Sequence, residues 1–95
     1  MAKIVMYHGQ DCPHCQAMMP LIDKVQKELN VEIEKKEVWQ NDENAAEMQK
    51  DTVTIKKACG GEMGVPVFIN MDTKDCTCGE LNYEKLKQWI QKQQK

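Results

Sequence analysis

In "GQDCPHCQAMMP", residues 9 to 20, Pro13 and His14 separate two cysteines, Cys12 and Cys15. Such a pair can clamp a soft metal, form a structural disulfide, or cycle between dithiol and disulfide. A closed zinc site needs further protein ligands, and Cys76 and Cys78, with Cys59 or His14, are the candidates here. Cycling needs a thiolate, which is the nucleophilic form of cysteine. Cys12 falls where a strand runs into a helix, so its sulfur would lie among the unpaired amide groups of a helix N-terminus. Those amides favour negative charge. His14 can add a second positive influence on the same sulfur, and Pro13 suits the first helical turn. Cys15, one turn further in, can reach back to Cys12 but meets less solvent, which suits the resolving thiol that breaks a mixed disulfide. A CxxC beside a βαβ pattern favours the cycling reading.

The remaining candidates have plainer readings. Met18 and Met19 fall at helical spacing and read as adaptable core or rim packing. His8 reads as structural, and Trp39 and Trp89 as packing residues. Cys59, before Gly60 and Gly61, reads as a small buried side chain near the edge of the site. Cys76 and Cys78 point to the same side of an extended strand. They could grip a soft ion, bond to each other, or be two ordinary thiols.

Composition narrows the functional classes. The 95 residues carry a formal net charge of -2, and all 13 cations are lysine. Without arginine, bidentate recognition of phosphates and base edges lacks its usual residue, which argues against nucleic acid as a partner. Serine is also absent, leaving cysteine as the obvious nucleophile. Five cysteines fall short of the roughly 8 to 10% typical of disulfide scaffolds, and their odd number means that not all can pair within the chain. No apolar run approaches the roughly 18 residues of a membrane span. The opening "MAKIVMYHG" lacks the apolar stretch and cleavage site of a signal peptide. A cytoplasmic, monomeric protein with one domain over residues 1–95 is the expectation.

The elements must then position the cysteines. "KIVMYH" (3 to 8) predicts a strand buried on both faces. Met18, Met19, Ile22, Val25 and Leu29 predict a helix after it, bent at Pro20. "VEIEKKEVW" (31 to 39) predicts a strand with one solvated face. "NDENAAEMQK" predicts a helix capped by Asn41, with Asp42 and Glu43 in its first turn. "DTVTIKKACGG" leans towards a short helix ended by Gly60 and Gly61. "VPVFIN" (65 to 70) predicts a strand, "DTKD" a turn and "CTCG" a return strand. Asn82 caps a last helix with Tyr83, Leu86, Trp89 and Ile90 on one side. The fold class is α/β: a βαβ unit, then a hairpin and a C-terminal helix, forming a central mixed sheet flanked by helices.

At these residues the chain resembles the thioredoxin superfamily, and within it the small thioredoxin-like and glutaredoxin-like proteins. The resemblance spans nearly the whole chain. It rests on the strand running into "CPHC", on Pro20 five residues after Cys15, on "GVP" at 64 to 66, and on "CGELNYEKLKQWI". It implies a thiol-disulfide oxidoreductase with Cys12 as nucleophile and Cys15 as resolving thiol. The Val65–Pro66 bond would be cis and form the edge where a substrate backbone docks. Expected partners are protein or small-molecule disulfides and an upstream reductant, with no cofactor. The pattern departs from thioredoxins at Met6, where they carry a buried Asp, and at Asp11, where they commonly carry Trp. Where glutaredoxins hold glutathione with Gly-Gly, this chain has Cys78 and Gly79. The competing classes are a soft-metal module built on both cysteine pairs and a redox-inactive binding module.

Overall fold

A computed structural model describes residues 3–94. Its elements run β1 (Ile4–His8), α1 (Pro13–Leu29), β2 (Ile33–Glu37), α2 (Asp42–Gln49), α3 (Thr52–Ala58), β3 (Val67–Asn70), β4 (Cys76–Cys78) and α4 (Tyr83–Gln93). The strands form one sheet in the order β2-β1-β3-β4. β1 pairs parallel with β2 and antiparallel with β3, and β3 pairs antiparallel with β4. This is the mixed α/β sheet that the order of elements predicts, with the ambiguous segment after Asp51 folded as the short helix α3.

Alternation along the central strands builds two layers. Ile4, Met6 and Phe68 face one way and are covered by Met18, Ile22 and Val25 of α1 and by Leu86, Trp89 and Ile90 of α4. Val5, Tyr7, Val67 and Ile69 face the other way, under Met48 of α2 and Ile55 of α3. Burial of these side chains, at about 25 cal/mol per Å² of apolar surface, is the main force holding helices to sheet. Edge strand β2 buries only Ile33 fully and is shorter than the predicted 31 to 39.

Local chemistry sets the ends that matter for the site. Pro13 occupies the first turn of α1, and Asn30 closes the helix in a left-handed conformation (φ 53) with its N–H on the Gln26 carbonyl. The helix runs unbroken past Pro20, an exposed position, although a proline nitrogen has no hydrogen to donate to the preceding turn. Asn41 and Asn82 cap α2 and α4 as predicted, accepting from the N–H groups of Asn44 and Lys85. The strand expected from residue 65 begins at Val67, since Pro66 has no N–H to offer a ladder. A buried polar knot fixes the β3–β4 hairpin to α4: Asn70 Nδ2 donates to Gln93 Oε1 at 2.9 Å, and Gln93 Nε2 donates to Asp75 Oδ2 at 2.8 Å.

Candidate active site

Cys12 is the N-cap of α1, in extended backbone (φ -83, ψ 111). Its Sγ accepts the Cys15 N–H at 3.2 Å, one of the amides that a helix start leaves unpaired. The Val65 carbonyl oxygen lies 4.0 Å from the same sulfur. The Val65–Pro66 peptide bond is cis. Pro66 is buried, and its carbonyl accepts the Gly79 N–H at 2.8 Å, so the end of the hairpin braces this bend. Cys12, Cys15, Pro13, Val65 and Pro66 therefore meet at one corner, as the sequence reading places them.

Both thiols are buried, Cys12 at 3% exposure at the N-cap and Cys15 at 0% inside α1. Burial pushes the Cys15 thiol up to about 12, with the hydrogen bond to Cys12 adding to the rise. Met6 lies in the same apolar cluster, so the sheet behind the pair carries a thioether where thioredoxins carry an acid. His14 is exposed and turns to Glu80, with Nδ1 2.9 Å from the carboxylate. Among the described residues no hydrogen bond joins His14 to either sulfur.

Two residues that the sequence left among a charged stretch and ordinary packing shape the loop before Cys12. The Glu37 carboxylate accepts backbone N–H groups from Gln10 at 2.9 Å, Trp39 at 2.9 Å and Gln40 at 2.8 Å. Burial pushes this carboxyl up, but the donors on Gln40, Gln10, Trp39 and Asn41 outweigh it and hold it below its ordinary range. Trp39 is 55% exposed, yet its ring lies on Gly9, where an added Cβ would stand 2.2 Å from Trp39 Cδ2. The close approach is what requires glycine there. No pattern of spacing announces either contact.

The other cysteines correct the sequence reading. Cys59 is not a free buried thiol, and Cys76 and Cys78 do not pair with each other. Cys59 and Cys78 form a disulfide with a Cα–Cα distance of 5.3 Å, and Cys76 is free. The cause is tertiary: α3 packs on β4, which brings the C-cap of α3 to the end of the strand. Cys59, Cys76 and Cys78 belong to the α2/α3 layer, whereas Cys12 and Cys15 belong to the α1/α4 layer. One ion cannot be shared by both pairs, and among the described residues no cluster of three or more metal-ligating side chains occurs. Met18 serves packing, its sulfur also accepting the Leu81 N–H at 3.4 Å. Among the described residues no helix is long and apolar enough to cross a membrane.

No family model and no curated protein matches the chain. Solved structures do. Thioredoxin 1 of the thermophilic eubacterium Thermosipho africanus superposes with a TM-score of 0.67 at 20% identity, over 96% of this chain and 92% of its own. The thioredoxin of Fasciola hepatica superposes with a TM-score of 0.68 at 26% identity, over 96% of this chain and 79% of its own. With its mixed sheet, its cis Val65–Pro66 bond beside the N-cap cysteine and this near-complete coverage, the chain is a member of the thioredoxin superfamily.

Proposed function

We propose that the protein is a thiol-disulfide oxidoreductase in which Cys12 and Cys15 cycle between dithiol and disulfide. The supporting observation is the Cys15 N–H held 3.2 Å from Cys12 Sγ at the start of α1. A thiolate at Cys12 keeps this donor without rearrangement, and the cis Val65–Pro66 edge leaves a carbonyl beside it for an extended substrate backbone.

The Cys12 thiolate attacks one sulfur of a substrate disulfide, forming the mixed disulfide and releasing the other substrate sulfur as a thiolate. That attack removes the negative charge beside Cys15 and the hydrogen bond that raised its thiol. Cys15 then loses its proton more easily, and the thiolate just released is a base at hand for it. Cys15 attacks Cys12 Sγ, expels the second substrate thiolate and leaves the Cys12–Cys15 disulfide. An upstream dithiol returns two electrons and two protons. The raised thiol of Cys15 supports this order, because a protonated thiol is a poor first nucleophile, whereas Cys12 holds the N-cap position. No cofactor is required. The unit of action is one monomeric domain over residues 1–95, with polypeptide or small-molecule disulfides as substrates and the cytoplasm as its compartment.

The decisive experiment compares two variants in an insulin-reduction assay. Cys12→Ser is expected to reduce turnover to the uncatalysed rate. Cys15→Ser is expected to accumulate a mixed disulfide detectable by mass. Equal alkylation of both thiols near neutral pH in the reduced protein would sink this division of roles.

A further inference from the structure

The Cys59–Cys78 bond closes on the segment that carries Val65 and Pro66. Cys59 ends α3, and the chain then passes through Gly60 (φ 77) and Gly61 (φ 106) to Gly64, Val65 and Pro66. At its far end the segment enters β3 at Val67, whose partner across the ladder is Cys78. Both ends are thus fastened to the same place on β4: the first by the disulfide, the second by the ladder and by the Gly79 N–H on the Pro66 carbonyl. Between them, three glycines weaken any intrinsic preference for one shape. Met63 and Val65 pack partly inward, and Pro66 is buried at the segment's far end. Besides the Gly61 N–H on the Lys56 carbonyl and the anchored Pro66, the disulfide is the covalent fastening of this glycine-rich segment.

The bond is also reachable. Cys59 and Cys78 are half-buried, and Gly60, Gly61 and Glu62 beside them are exposed. Cys76 points to the same side of β4 as Cys78, but burial, then Asp75 and Asp51, push its thiol up to about 11, which leaves little thiolate at neutral pH to attack the bond.

We propose that Cys59–Cys78 is a second thiol-disulfide exchange site, opened by an external dithiol, whose state sets how rigidly the loop presents Val65–Pro66. In the opening step a thiolate of the dithiol attacks one sulfur of the bond, and the other sulfur leaves as a thiolate that takes up a proton. The reductant's second thiol then closes on the mixed disulfide. Two electrons and two protons pass, leaving two cysteine thiols and the oxidised reductant. The consequence for turnover rests on the reading that Val65–Pro66 is the substrate edge.

The test uses the full chain carrying Cys12→Ser and Cys15→Ser, so that only the second pair can react. Dithiothreitol should make Cys59 and Cys78 alkylatable with the circular dichroism unchanged, and oxidised glutathione should restore the same bond. Amide hydrogen exchange should accelerate at least tenfold across residues 60–66 while β1 and β3 stay protected. Reduction only with global unfolding, reoxidation onto Cys76, or unchanged exchange at 60–66 would each overturn the proposal. None of these readouts uses activity, so they stand apart from the Cys12 mechanism. A second arm, Cys59→Ser with Cys78→Ser on an otherwise intact chain, should raise KM for insulin severalfold and leave kcat for a small disulfide unchanged. Accelerated exchange with an unmoved KM would support the latch and overturn only the assignment of the substrate edge.

Discussion

Two cysteine pairs sit on opposite faces of one sheet, and they end at opposite ends of helices. Cys12 caps the N-terminus of α1, where the Cys15 amide hydrogen meets its sulfur. Cys59 is the C-cap of α3, where unpaired carbonyls converge instead. Negative charge is favoured in the first setting and disfavoured in the second. Lys56 and Lys57 in the last turn of α3 soften this only weakly, because both are exposed and screened. The same residue type thus sits at the positive end of a helix at one corner and ties helix to strand at the other. Helix polarity, more than cysteine spacing, separates the two settings.

The comparison is tested most severely by activity. Replacing Cys76 and Cys78 together with serine should leave most of the small-disulfide reductase activity, whereas Cys12→Ser leaves none. The reason is that β4 offers no helix N-terminus to hold a thiolate. If the double variant is folded yet as inactive as Cys12→Ser, electrons pass through the hairpin and the separation of roles fails.

Alkali should sharpen the contrast. In the reduced protein burial raises Cys15 from 9.0 to about 12, and it raises Cys76, with Asp75 and Asp51 adding to it, from 9.0 to about 11. A thiol whose folded pKa is raised stays protonated in the native state while the unfolded chain ionises. Its stabilisation is therefore full below about pH 9 and is lost as pH rises towards the folded value. Urea unfolding under reducing conditions should show the midpoint falling from about pH 9 upward, with Cys76 contributing to about pH 11 and Cys15 to about pH 12. Cys15→Ser should therefore remove the part of the fall above about pH 11, which Cys76→Ser leaves in place. Equal slopes in the two variants above about pH 11 would mean that the α1 layer holds its thiol no more tightly than the α3 layer.

Much of the CxxC corner was legible in the sequence because its signals are local. Spacing placed Cys12 and Cys15 one turn apart, Asn41 and Asn82 marked helix starts, and "VPVFIN" marked the strand after the bend. The Cys59–Cys78 bond was not legible, since it depends on α3 packing against β4 across a separation of 19 residues. Glu37 was hidden for a similar reason: its carboxylate looks like one more surface charge until Gln10, Trp39 and Gln40 turn their N–H groups to it. Glu37→Gln keeps the shape and removes the charge, so it should lower the unfolding midpoint by weakening the bonds from the Gln10, Trp39 and Gln40 N–H groups. It should also slow alkylation of Cys12, because the loop from Gly9 to Asp11 loses its anchor, while Cys76 alkylates as before. An unchanged chemical melt would show that these bonds are replaced by water without penalty.

The smallest effect is expected where the two regions touch. Glu80 follows Cys78 by two residues and accepts from or pairs with His14, which lies between Cys12 and Cys15. Both side chains are largely exposed, at 71% and 50%, so the pair contributes within roughly 1 kcal/mol and is screened by salt. Glu80→Gln should barely move the unfolding midpoint. It should nevertheless free the His14 ring to swing between Glu80 and the site entrance, changing the alkylation rate of Cys12 by a small factor at low ionic strength and by less at high. His14→Gly should abolish that salt dependence, since it removes the group on which Glu80 acts. If Glu80→Gln changes the Cys12 rate equally in both backgrounds, Glu80 acts on the sulfur without His14. The hairpin end would then reach the reactive corner through the Gly79 N–H and the Pro66 carbonyl, the other contact that joins them.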